Sequence, residues 1–96
     1  MRVEYSKRAT RELKRIGEYY RDTAGVRVAQ ELEARISAVV ERIRREPLSS
    51  PELEQRPGMH VVLLIKFPYK IFYRIKGDNV FMYHIRHTSR RQWKVE

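Results

Sequence analysis

The run Arg86-His87-Thr88-Ser89-Arg90-Arg91-Gln92-Trp93 gathers the side chains of this sequence best suited to chemistry on an anion. His87 has an unperturbed pKa near neutrality and can move a proton at physiological pH. Arg90 or Arg91 can clamp a phosphate with two parallel N–H donors, because the guanidinium group is planar and forked. Trp93, with Lys94 beside it, sets an aromatic face among cations, a combination that suits nucleic acid or an acidic protein surface. Upstream, Lys66, Lys70 and Arg74 add positive charge, and His60 and His84 complete the histidines. Each has an ordinary reading as well. A histidine ending a buried strand more often makes a structural hydrogen bond than transfers a proton, and the same holds for His84 on the opposite face of that strand. His60, at a loop-to-strand junction, reads as surface. The tail can equally be a solvated extension whose Trp93 packs over a sheet edge. Three histidines with no cysteine and no short paired spacing make no convincing metal site. No glycine-rich phosphate loop or nucleophile elbow is present, so neither a metal nor a cofactor is expected.

The whole chain supports an anionic partner. Its 96 residues carry 21 Lys and Arg against 12 Asp and Glu, a net charge of +9, which favours nucleic acid, an acidic protein or an anionic membrane face. Twelve basic and eight acidic residues fall in the first 46 positions, against nine and four in the rest. The first half therefore reads as solvated, mixed-sign helix faces, and the second half as the place for a binding surface. A 42% hydrophobic share allows one modest core and argues against disorder, so residues 1–96 are expected to form a single domain. No apolar run approaches the roughly 18–20 residues that span a bilayer, and Met1-Arg2-Val3-Glu4-Tyr5 lacks an apolar signal core. The absence of cysteine excludes disulfides and a thiol nucleophile and fits a reducing compartment. These features together lead to the expectation of a soluble, cytoplasmic protein with no membrane partner.

The elements that must position these residues divide near Pro47. Arg2 to Tyr5 reads as a short strand. Ser6 is a suitable N-cap for a helix whose apolar stripe runs through Ala9, Leu13, Ile16 and Tyr20. Asp22-Thr23-Ala24-Gly25 supplies a turn and a second cap. A longer amphipathic helix follows, with Ala29, Leu32, Ile36, Val39 or Val40, and Ile43 on its inner side, and Pro47 stops it. Two helices joined this closely form an antiparallel hairpin. Pro47 to Gly58 has loop composition. Val61 to Phe67 reads as a strand broken by Pro68. Tyr69 to Lys76 follows, with Ile71, Tyr73 and Ile75 on one face, and Lys76-Gly77-Asp78-Asn79 is a hairpin turn. Val80 to His87 is the last strand, with Val80 and Met82 on one face and Phe81, Tyr83 and Ile85 on the other, the pattern of a doubly covered strand. The expected class is α+β in the order β-α-α-β-β-β, an antiparallel helix hairpin packed on one face of a small, mainly antiparallel sheet. The other face, with Arg74, is left as a groove.

That order, the strand Tyr69-Lys70-Ile71-Phe72-Tyr73-Arg74-Ile75-Lys76 with its Gly77-Asp78 turn, and a strand ending in Ile85-Arg86-His87 before Arg90-Arg91 resemble the ParE/RelE toxin superfamily. The likeness spans nearly the whole chain. It implies the toxin of a type II, plasmid-stabilisation type toxin–antitoxin pair, held in a hetero-oligomer by a cognate antitoxin whose C-terminal segment wraps it. Tyr19 and Tyr20 then have a shared reading, one ring in the core and the other facing solvent or the antitoxin.

The resemblance leaves two activities to weigh. RelE-like members cleave mRNA in the ribosomal A site; ParE-like members inhibit DNA gyrase without hydrolysing RNA. Cleavage by the 2′-hydroxyl needs an acid, a base and cations for the developing charge, and Arg74, His87 and Arg90 are the residues that would serve. RelE-like enzymes resemble one another in carrying Arg where this chain has Lys70, and more cations on the strand before it, where this chain has only Lys66. Lys is not an equivalent fork for a phosphate. The favoured expectation is a ParE-like, non-enzymatic gyrase inhibitor whose target- or nucleic-acid-binding residues are Lys66, Lys70, Arg74, Arg86, Arg90, Arg91 and Trp93. The alternatives are a RelE-like endoribonuclease acting on the ribosome and mRNA and, ranked last, a general basic nucleic-acid-binding module.

Overall fold

The computed structural model describes residues 1–88. Strand β1 (Arg2–Tyr5) leads directly into helix α1 (Lys7–Ala24), and the residue between them does two jobs. Ser6 Oγ accepts the Ala9 N–H at 2.9 Å, capping the helix, and donates to the Tyr83 carbonyl at 2.8 Å. The cap thus also ties the start of α1 to the last strand. Helix α1 runs through the expected turn to Ala24: Thr23 Oγ1 donates to the Tyr19 carbonyl at 2.7 Å inside the helix instead of capping the next one. The break is made by Gly25 alone, at φ 95°, a backbone region open chiefly to glycine. Helix α2 (Val26–Arg45) then folds back against α1 and ends just before Pro47.

Beyond Pro47 the chain forms β2 (Glu52–Leu53), β3 (Arg56–Leu63), β4 (Tyr69–Lys76) and β5 (Asn79–His87). The sheet order is β1-β5-β4-β3-β2, with β1 parallel to β5 and every other pair antiparallel. Two readings of this region need correction. The loop expected over 47–58 contains β2 and the start of β3. Pro57 and Gly58 are tolerated there because pairing with β4 begins only at Met59↔Arg74, so Pro57 removes no hydrogen bond from that ladder. The strand expected over 61–67 ends at Leu63. Leu64 and Phe67 are buried in the core, but from a turn closed by Tyr69 N–H to the Phe67 carbonyl (2.8 Å), with Lys66 at φ 78°. Apolar content there reflects packing by a turn.

The core lies between the helix pair and one sheet face. Ala9 of α1 and Leu32 and Ile43 of α2 meet Val62, Tyr69, Ile71, Tyr73, Val80, Met82 and Ile85. Ile85 joins this face because of a bulge. Phe72 is opposite His84 while Tyr73 is opposite Met82, so Tyr83 is the extra residue, and the alternation of β5 shifts by one beyond it. Strict alternation had grouped Ile85 with Phe81 and Tyr83. The opposite sheet face is not bare: Met59 and Phe72 on it are buried among half-buried Lys70, Arg74 and Arg86.

Candidate functional site

Strand alternation sorts the candidate residues. Lys70 and Arg86 are cross-strand partners on the face away from the core, with Lys70 also opposite Leu63. Lys70 Nζ stands 5.8 Å from the Phe72 ring centre, and Lys76 Nζ 5.4 Å from that of Phe81, so the outer face presents cations seated on aromatic rings. Arg74 is on this face too, opposite Phe81 and Met59. Lys66 is elsewhere, on the 64–68 turn, where its Nζ pairs with Glu31 of α2 at 3.2 Å. Exposed and paired, it serves as a surface tie between turn and helix.

His87 is opposite Tyr69, with ring centres 5.2 Å apart and edge-to-face, so it faces the helix side. Arg74 faces away from it, five residues along β4 from Tyr69, about 17 Å at the rise of a strand. The structure therefore does not bring Arg74 and His87 together. Arg90, Arg91 and Trp93 lie outside the described residues. The other two histidines are both committed to the fold. His84, only 2% exposed, donates its Nδ1–H to the Glu12 carboxylate at 2.7–2.9 Å and stacks on Phe72. His60, expected at the surface, is 5% exposed: its Nδ1–H donates to the Ser50 carbonyl at 2.8 Å and its ring stacks on Tyr73, centres 5.1 Å apart. The reason is β2, which folds the 50–53 segment over His60 and turns a strand-end residue into an interior one.

Where β1 stops at Tyr5, the edge of β5 is left to α1, and a cleft opens between them. Its volume is about 560 Å³. Arg8, Arg11 and Arg15 of α1 line it together with Arg86 and His87, which lie on opposite faces at the edge of β5, and with Tyr19 and Tyr20. Among the described residues Glu12 is the one carboxylate lining the cleft, and it is occupied: besides the His84 ring it accepts the Ile85 N–H at 2.9 Å, and Arg8 Nε is 3.6 Å away. The Tyr20 ring packs edge-on against Phe67 in the core, and Tyr19, 58% exposed, packs edge-on against Tyr20. The pair thus splits into one inward and one outward ring. Among the described residues no group of three or more His, Cys, Asp or Glu side chains is placed to hold a metal.

The family model for the ParE toxin of the type II toxin–antitoxin system parDE matches residues 3–92. The chain belongs to the ParE toxin family. Solved structures share the fold at low identity. The chromosomal ParDE toxin–antitoxin system of P. aeruginosa superposes with a TM-score of 0.81 at 19% identity, covering 93% of this chain and 97% of that one. The intact RelBE toxin–antitoxin complex of E. coli gives 0.62 at 18% identity, over 94% and 98% of the two chains. The isolated RelE toxin of E. coli gives 0.61 at 17%, over 95% and 87%. No curated protein sequence matches significantly. For this ParE-family toxin the sequence reading missed Arg8, Arg11, Glu12 and Arg15. Their signal was present, since positions 8, 11 and 15 recur at helical spacing on one side of α1, but alternating charges made that side look like a solvated face. That Glu12 belongs to β5 is a long-range fact which no local pattern carries.

Proposed function

We propose that this type II toxin inhibits DNA gyrase by a protein–protein contact and is held inactive by its cognate antitoxin. The observation that carries the reading is the orientation of Arg74 and His87 on opposite sheet faces. Acid–base cleavage of RNA needs its proton-transfer groups and its cations on the same phosphate; a binding surface does not. The outer face, with Lys70, Arg74 and Arg86 around aromatic rings, is where the gyrase contact belongs, and Arg90, Arg91 and Trp93, outside the described residues, are proposed to take part in it. Tyr19 and Tyr20, beside the helix pair, are assigned to the antitoxin, whose acidic segment would offset the net charge of +9. The complex is then a toxin–antitoxin hetero-oligomer in the cytoplasm. Purified toxin is expected to block gyrase supercoiling and to be relieved by the antitoxin. Cleavage of ribosome-bound mRNA with supercoiling untouched overturns the reading.

One observation favours the second activity. His87 shares its cleft with Arg86 and the α1 arginines, so a proton-transfer group does stand among cations, though without Arg74. If the toxin is a ribosome-dependent endoribonuclease, His87→Ala abolishes cleavage while antitoxin binding persists. Full toxicity of that variant excludes His87 as an essential acid or base.

A further inference from the structure

The cleft between α1 and the end of β5 gathers four arginines, Arg8, Arg11, Arg15 and Arg86; it shares Arg86 with the face proposed for gyrase and Tyr19 and Tyr20 with the surface proposed for the antitoxin, while Arg8, Arg11 and Arg15 have no part in either. Arg8, Arg11 and Arg15 span about 10 Å of helix at 1.5 Å per residue, and Arg86, at the edge of β5, lines the same cleft. Arg11, Arg15 and Arg86 have no carboxylate within ion-pairing distance among the described residues. Glu12, the one carboxylate lining the cleft among the described residues, is engaged by the His84 ring, the Ile85 N–H and Arg8. Guanidinium groups left without counter-charges in a concave site favour a polyanion.

We infer that this cleft binds a single nucleic-acid strand, the arginines gripping consecutive phosphates and the exposed Tyr19 ring stacking a base. Three observations select this occupant. The cleft combines forked cations with an outward aromatic ring held edge-on by Tyr20, the pairing that binds single strands with little sequence preference. A cleft of about 560 Å³ has room for part of one strand, and only a single strand offers unpaired bases to the Tyr19 ring. A peptide adding to the sheet would need the free edge of β5. The edge groups there are taken, the Tyr83 carbonyl by Ser6 Oγ and the Ile85 N–H by Glu12, so the ladder that gives strand addition its affinity is closed at those positions.

The test is fluorescence anisotropy of a labelled oligothymidylate of about twelve nucleotides, within the usual site size for such grooves, titrated with the full chain at several salt concentrations. Arg11→Ala/Arg15→Ala is compared with Arg27→Ala/Arg35→Ala, which removes the same charge from α2 outside the cleft. All four changes are to a better helix former, and circular dichroism verifies the fold. Removing two phosphate contacts should flatten the dependence of log affinity on log salt by about 1.4, at about 0.7 per phosphate for a single strand. It should also weaken binding at least about tenfold at low salt, while the α2 variant changes neither value by as much. Tyr19→Ala should abolish the preference for single strand over duplex. Equal losses in the two double variants, or displacement of the oligonucleotide by polyglutamate at matched charge, overturn the assignment; the second result makes the cleft a site for an acidic protein. Retention of single-strand preference by Tyr19→Ala overturns it as well. None of these readouts uses gyrase or the ribosome, so the inference stands or falls separately from the proposed activity.

Discussion

Tyr73 and its neighbour Arg74 stand on opposite faces of β4, and the two faces are held by different forces. Tyr73 is fully buried: its ring lies against His60 and its hydroxyl donates to the Pro47 carbonyl at 2.7 Å. Everything around it is fixed by area removed from water and by a hydrogen bond that cannot be left unmade. Arg74, one residue on, is half-buried on the face where the Lys70 and Lys76 ammonium groups lie over aromatic rings. Cation–ring contacts at partly exposed sites are worth roughly 0.5–1 kcal/mol, too little to dictate residue choice. The helix-side face is therefore constrained by folding, and the outer face is free to be shaped by binding.

The comparison can be broken most directly in the core. Leu32→Ala, at a position 1% exposed, should cost about 2–5 kcal/mol, read as a lower urea midpoint, with binding lost only through unfolding. Tyr73→Phe keeps the ring and leaves the Pro47 carbonyl without its donor, so stability should fall by about 1 kcal/mol, with faster proteolysis in the 47–53 segment. Lys70→Ala together with Arg74→Ala should change stability by less than about 0.5 kcal/mol each yet weaken gyrase inhibition in a supercoiling assay. A large loss of stability there, with inhibition retained, would erase the distinction between the faces. The smallest effect belongs to Glu41 on the outer side of α2, where the hydrogen bond from Arg44 holds its carboxyl below the usual carboxylate range. A lowered pKa adds stability above the unfolded value that is lost as pH falls through the folded one, and a solvent-exposed pair adds little. Glu41→Gln should therefore flatten only the acid limb of the stability–pH curve and leave every binding activity unchanged.

The same contrast explains what the sequence made legible. Helix α2 and strand β4 could be read because Leu32, Ile36 and Ile43 recur at helical spacing and Ile71, Tyr73 and Ile75 at strand spacing, and because Gly77 and Asp78 allow the tight turn. These are local signals. Strand β2, the bulge at Tyr83 and the burial of His60 were not legible, since each depends on a partner in another segment that no local periodicity encodes: Glu52 meets His60, Phe72 meets His84, and Ser50 meets the His60 ring. The candidate binding residues divide in the same way. Lys70, Arg74 and Arg86 stood out because they interrupt apolar strands, and Tyr19 and Tyr20 because two adjacent rings on a helix cannot both face inward. Arg8, Arg11 and Arg15 were hidden by Glu12, whose charge looked like local compensation and is spent on β5 instead.

The parallel pairing of β1 with β5 carries a consequence for synthesis. Arg2 is opposite Asn79 and Tyr5 opposite Met82, and β5 is the sole neighbour of β1 in the sheet, so the first strand made must wait for the last before it can pair. Until residues 79–87 leave the ribosome, α1 lacks the Tyr83 carbonyl that anchors its cap residue and Glu12 lacks both of its partners on β5. Pairing across such a separation is slow relative to forming the helix hairpin. The nascent chain thus passes through a stage with its helices made and its sheet unfinished, and the toxin's cationic surfaces come together only when translation of the last strand is done.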